Sequence, residues 1–228
     1  MSIPILLATL LSIANAAITI SFRCPPEGFN SVQNFNSKDY FSGDWYPVKQ
    51  VVNSYQPEDS LYCVAATYTM VTTPKCSLLG CDDKQVDVYN RAKRGSVTGE
   101  TRGGNLVGVI PNADDSSKAL VGPKFVPQLF YGDYWVVAVG KYSDLVSGTT
   151  LSSGKFYDWA IITGGLPRAE TSPGKCLPGI GFQNEGLWLF SRKAEPGADI
   201  VDEIVKKAAD LQLDTSKLIN VKHSGCTY

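Results

Sequence analysis

Few groups in this chain are equipped for covalent chemistry. His223 is the single histidine among 228 residues, and it stands in the tail beside Ser224 and Cys226. Nucleophilic catalysis needs a base held against a serine or cysteine and oriented by a third group. His223, in the tail, is expected to lie far from any pocket that the strands enclose, so histidine-driven nucleophilic chemistry is not expected. A lone histidine also argues against a histidine-based metal cluster. Carboxylates can serve as acid and base, and Asp87 and Asp158 stand in strand-like runs. Asp87 takes the opposite face from Val86, Val88 and Asn90 and reads as solvated. Asp158 reads more readily as an outward strand aspartate than as a catalytic one. No glycine-rich phosphate loop occurs, and Gly103-Gly104 reads as a bend between strands. The expectation is no catalytic residue, no metal and no cofactor.

The cysteines have a different use. Cys24, Cys63, Cys76, Cys81, Cys176 and Cys226 make an even number. No C-x-x-C occurs and the spacings are long, which disfavours zinc. Disulfides suit an exported chain, and residues 1–17 (MSIPILLATLLSIANAA) support export. Ile3 to Ile13 is a short apolar run, and Ala14-Asn15-Ala16 is a small-x-small cleavage site. That run is too short to span a bilayer and reads as a signal peptide. Its n-region lacks Lys and Arg, so a buried N-terminal segment is the competing reading. No other run reaches membrane-spanning length, and no Asn-x-Ser/Thr sequon occurs. The formal net charge is -1, without a long charge run. Such a balance offers no electrostatic footprint for nucleic acid or an anionic membrane.

The elements that must position these residues are short strands. Candidate runs are Trp45 to Ser54, Leu61 to Thr73, Gln85 to Arg94, Asn105 to Pro111 and Lys118 to Val126. Tyr134 to Gly140, Phe156 to Thr163 and Gly186 to Arg192 follow. Residues 141–155 and 164–185 read as long loops. One helix then appears, with Ile200, Ile204, Val205 and Ala208 at helical spacing after the start signal Glu195-Pro196-Gly197. The tail from Leu218 has room for one more short strand. Eight strands followed by one helix indicate an all-β, antiparallel up-and-down sheet. Closing that sheet into a barrel leaves no exposed edge.

One pair of residues makes closure specific. Gly43 permits a sharp turn, and Trp45 then enters the first strand with its ring aimed at a core. Arg192 ends the last strong strand, GLWLFSR. The pair can stack if the sheet closes on itself. Gly-x-Trp at the start and an arginine over that tryptophan at the end resemble the lipocalin family. The resemblance implies that Gly43, Trp45 and Arg192 form a closure clamp, a contact worth roughly 0.5–2 kcal/mol. It extends from Cys24 to Cys226, through LYCVAATYTM, VDVYNRA, YWVVAVG, YDWAII and LWLFSR. The nearest types are apolipoprotein D and bacterial lipocalins, and the lipocalin part of violaxanthin de-epoxidase is also similar. The middle signature of the family, Thr-Asp-Tyr, is here only Gly140-Lys141-Tyr142.

The family therefore implies one lipocalin-like domain over residues 18–228, an eight-stranded barrel with the C-terminal helix packed outside. It implies a Cys63–Cys226 disulfide that staples the tail to the barrel, and a less secure Cys24–Cys176 pair. Cys76 and Cys81 are close enough in sequence to bridge one hairpin. If Cys63 faces outward, Val64, Ala66, Tyr68 and Met70 face inward. The resemblance carries ligand contact onto Tyr68, Asn90 and Trp188; the competing role for all three is filling the barrel core. The expected function is secreted binding or transport of a small hydrophobic molecule: a fatty acid, sterol, retinoid, carotenoid or tetrapyrrole. Two alternatives are a carotenoid-modifying enzyme resembling violaxanthin de-epoxidase, marked by an inward carboxylate, and a protein-binding module that uses its loops, marked by a filled interior.

Overall fold

The computed structural model describes residues 24–71, 75–77, 80–82, 85–179 and 185–228. Eight antiparallel strands form the wall. They are β1 (Ser42–Gln50), β2 (Tyr62–Val71), β3 (Gln85–Lys93), β4 (Thr101–Val109), β5 (Lys118–Pro123), β6 (Gly132–Gly140), β7 (Trp159–Thr163) and β8 (Leu187–Ser191). Each pairs with the next in sequence, and β8 pairs back onto β1 through Tyr46↔Ser191 and Pro47↔Phe190. The sheet is therefore a closed up-and-down barrel. A short β9 (Ile219–Asn220) adds to the outside of β1.

The β-branched and aromatic alternation of the strands accounts for two separate apolar clusters. Inward side chains from every wall form one: Trp45, Ala66, Tyr68, Val86, Val88, Ala119, Tyr134, Val136, Ala160, Ile162 and Phe190 among them. Outward Val137, Trp159, Ile161, Leu187 and Leu189 form the second, against Ile200, Ile204 and Ala208. Those three lie on one face of the C-terminal helix, α2 (Ala198–Asp210), after a one-turn α1 (Ser37–Tyr40) at the other end of the chain. Gly197, whose φ is +106°, precedes α2 as its N-cap.

Register assigns the two ends of the barrel. Trp45 pairs with Ala66 and Gly43 with Tyr68, beside α1, so this end is closed. The other end carries residues 51–61, 94–100, 124–131, 164–179 and 185–186 and is the mouth. Of the two long loops, only the second reaches the mouth, in its described residues. It holds a hairpin of Ala169–Ser172 and Lys175–Leu177. Residues 141–158 cross the closed end. There the Asp39 carboxylate accepts hydrogen bonds from the Phe156 and Tyr157 amides at 3.0 and 3.2 Å.

Asp158 belongs to that closed end, which corrects the expectation of an outward strand aspartate. It is only 2% exposed. It accepts hydrogen bonds from the amides of Ser153 (2.9 Å) and Tyr142 (3.3 Å), pinning the loop outside the barrel interior. Here β7 begins at Trp159, not Phe156, because Asp158 is committed to the loop. Gly103 and Gly104 are a second correction. They lie within β4, paired with Arg91 and Asn90. A glycine pair reads as a turn locally, yet β3 supplies a complete ladder partner.

Among the described residues two disulfides are present, Cys24–Cys176 and Cys63–Cys226. The second secures a tail that also bonds to β2, through the Cys63 amide to the Lys222 carbonyl (2.8 Å). The backbone places Cys76 opposite Cys81 in a hairpin; their side chains, and residues 1–17 with the signal peptide expected there, lie outside what the structure describes.

Candidate functional site

The barrel interior holds a cavity of about 620 Å³. Its origin is visible in strand parity. Successive inward positions of β4 are Arg102, Gly104, Leu106 and Gly108, facing Ala92, Asn90, Val88 and Val86 of β3. Gly132 of β6, paired with Val121 of β5, continues this wall. A Cβ on Gly104 would meet nothing within 4 Å. Space exists here because side chains are missing on one wall, while Tyr68, Trp188 and Phe190 fill the other. The lining is mostly apolar with a few polar groups, the usual make-up of a small-molecule site.

Tyr68, Asn90 and Trp188 all line this one cavity. They do so at different depths. Tyr68 is buried near the closed end. Asn90 is exposed, on a level with Ala66 and Gly104. Trp188 is half-buried on the inward face of β8, beside Phe190 in parity. Its ring lies over Gly186, where a Cβ would approach it to 2.0 Å. Only glycine fits beneath that ring, and only glycine readily adopts the local φ of +118°. Cys63 points outward to its disulfide, and Val64, Ala66, Tyr68 and Met70 line the opposite face. Cys63 itself has a φ of +50°, within a bulge of β2.

Beneath the cavity is a group that sequence reasoning missed. The Tyr134 hydroxyl contacts that of Tyr40 at 2.7 Å and that of Tyr68 at 3.0 Å. Burial pushes all three phenols above their ordinary pKa, so they stay neutral through the physiological range. Tyr134 shares a face with Val136, and that alternation was readable. Tyr40 lies in α1, and nothing local indicated that it meets β2 and β6.

The closure clamp is also formed. The Arg192 guanidinium carbon sits 3.8 Å from the Trp45 ring centroid. Its nitrogens donate to the carbonyls of Ser42, Asp44, Asp39 and Tyr40 at 2.6–3.2 Å. The Trp45 indole donates to the Tyr40 carbonyl at 2.9 Å. These bonds occupy both terminal nitrogens, while the buried Nε has no hydrogen-bond partner.

Carboxylates keep to the outside and the rim. Asp87 faces outward and pairs with Lys124 at 2.8 Å. Asp44, on the outer face of β1, lies 3.6 Å from Arg91. Asp133 and Glu185 border the mouth. Burial raises the Asp133 pKa, with Arg168 opposing. Parity turns Asp133 away from the face of Gly132 and Tyr134, and Glu185 accepts from the Ser54 amide at 3.0 Å. No inward position of the described strands carries a carboxylate. Among the described residues, no cluster of potential metal ligands occurs, and no helix is long and apolar enough to cross a membrane.

Solved structures share this architecture. Apocrustacyanin C2 matches with a TM-score of 0.52 at 14% identity, over 83% of this chain and 81% of its own. Insecticyanin from the tobacco hornworm Manduca sexta matches with a TM-score of 0.51 at 18% identity, over 90% and 89%. Lobster apocrustacyanin A1 matches with a TM-score of 0.50 at 16% identity, over 86% and 83%. No protein-family model matches the chain, and no curated protein matches it by sequence. The neighbours are lipocalins, and the fold of this chain is the lipocalin fold.

Proposed function

We propose that the protein binds and carries one small hydrophobic molecule inside the barrel. The observation that carries this reading is the cavity of about 620 Å³, lined mostly by apolar side chains with a few polar groups among them. Tyr68, Asn90 and Trp188 are its proposed ligand contacts, with Tyr68 deep and Asn90 and Trp188 along the wall. Fatty acids, sterols, retinoids, carotenoids and tetrapyrroles are the candidate classes. Crustacyanin and insecticyanin, which share the fold, support a barrel used for binding. The proposed setting is extracellular: residues 1–17 act as a signal peptide, residues 18–228 form a single domain, and the two disulfides suit an oxidising compartment.

Neither alternative has a comparable observation. An enzyme working by acid–base chemistry on a bound carotenoid would need a carboxylate aimed into the cavity, whereas the two that line it, Asp133 and Glu185, stand at the mouth. A module using the barrel only as scaffold would have a filled interior. The test is to incubate the purified mature protein with a lipid and pigment extract and identify by mass spectrometry what remains bound. Retention of one unaltered hydrophobic molecule per chain is the expected result. A chemically altered molecule absent from a protein-free control would replace the carrier with an enzyme. If nothing is retained, the carrier reading fails and the loops become the place to look for partners.

A further inference from the structure

Tyr40, Tyr134 and Tyr68 present three hydroxyl protons to two oxygen–oxygen contacts. One proton is therefore left over, and its position follows from burial. If Tyr68 donated to Tyr134 and Tyr134 to Tyr40, the surplus proton would sit on Tyr40. That side chain is fully buried and does not line the cavity. Its hydroxyl contacts only Tyr134. A donor stranded there would be left unsatisfied, which is costly. The other arrangements put the surplus proton on Tyr68 or Tyr134, and both of these line the cavity. The phenols cannot resolve the imbalance by ionising, because burial holds them protonated.

We infer that this trio is a ligand subsite: a hydrogen-bond donor at the bottom of an apolar cavity that recognises an uncharged acceptor oxygen, such as a ketone or aldehyde, on the inner end of the ligand. This rests on the carrier reading above and specifies the ligand's chemistry and direction. A carboxylate is the poorer fit, since desolvating a charge at that depth has only phenols to offset it. Wall residues around the site, Phe41, Val86 and Phe190, are apolar, so the donor is the feature that distinguishes one hydrophobic molecule from another there.

The probes are all-trans-retinal and axerophthene, the hydrocarbon in which the aldehyde is replaced by a methyl group. Affinity is read by quenching of tryptophan fluorescence, with near-ultraviolet circular dichroism to confirm that each variant is folded. Wild-type protein is expected to bind retinal about tenfold more tightly than axerophthene, the ratio of one net hydrogen bond. The Tyr68→Phe/Tyr134→Phe double variant is expected to lose that preference and keep its affinity for axerophthene. Tyr40→Phe leaves two hydroxyls and one contact, so a surplus donor and the preference both persist. Equal wild-type affinity for the two probes, or an unchanged preference in the double variant, overturns the subsite but leaves the carrier standing. Binding of neither probe to folded wild-type protein also overturns the subsite, while retention from the lipid and pigment extract decides the carrier reading separately.

Discussion

The guanidinium carbon of Arg192 lies over Trp45, 3.8 Å from its ring centroid, although 147 positions separate the two in sequence. The same guanidinium donates to four backbone carbonyls between Asp39 and Asp44. It joins the last strand, the first strand and α1 where the barrel closes. Arg192→Ala removes the stacking and leaves those carbonyls without a partner in a buried place. A loss of about 3 kcal/mol in unfolding free energy is expected. Arg192→Lys keeps the charge but lacks the planar fork and loses an intermediate amount. Chemical denaturation of both variants gives the answer, and a change under about 1 kcal/mol in Arg192→Ala would remove the clamp from the list of stabilising contacts.

The Cys63–Cys226 bridge spans 163 residues. Replacing both cysteines with alanine is expected to cost roughly 2–5 kcal/mol, chiefly by freeing the unfolded chain. The bridge lies outside the wall, so ligand affinity in the folded variant stays at the wild-type value. Thermal unfolding and a binding titration on the same preparation separate the two effects. An affinity loss at a temperature where the variant is fully folded would mean that the bridge shapes the cavity.

Burial raises the pKa values of Tyr40, Tyr68 and Tyr134 above the ordinary 10.0. The folded protein therefore holds these protons more tightly than the unfolded chain. Their contribution to stability is complete below pH 10 and declines as pH rises above it, because the unfolded chain ionises first. Unfolding free energy measured between pH 8 and pH 11 should fall at the alkaline end. The slope should flatten in Tyr68→Phe/Tyr134→Phe. An equally steep fall in that variant would assign the alkaline loss to other groups.

Cavity volume depends on Gly104 having no side chain. Gly104→Leu places a branched chain where a Cβ meets nothing within 4 Å, so the fold should tolerate it while the cavity fills. Ligand affinity is expected to fall at least about tenfold. Trp188→Ala enlarges the same cavity from the opposite wall and is expected to weaken binding by a similar factor without unfolding the barrel. A folded Trp188→Ala variant with wild-type affinity would remove Trp188 from the site.

Much of the barrel could be read from the chain. Alternation in LYCVAATYTM predicts the inward set of β2, because side chains of a strand point to opposite faces in turn. The helical spacing of Ile200, Ile204 and Ala208 likewise predicts the face that α2 buries. Gly43-x-Trp45 and a terminal arginine single out closure, since a stacked pair needs only residue types and strand ends. Other features depend on partners distant in sequence. Asp158 looked like a strand residue until the 141–155 loop folded back to supply its donors. Gly103-Gly104 looked like a bend until β3 paired with both. The 141–155 loop crosses the closed end because register decides which end each connection occupies. Above all, the meeting of Tyr40 with Tyr134 and Tyr68 has no local signal, for it joins a one-turn helix to two strands far along the chain. The sequence by itself determined strand number, facing and the residues able to clamp the barrel, because these follow from local periodicity and side-chain type. Only the tertiary structure decided where the cavity lies and which hydroxyls meet beneath it, because that requires all eight strands in register at once.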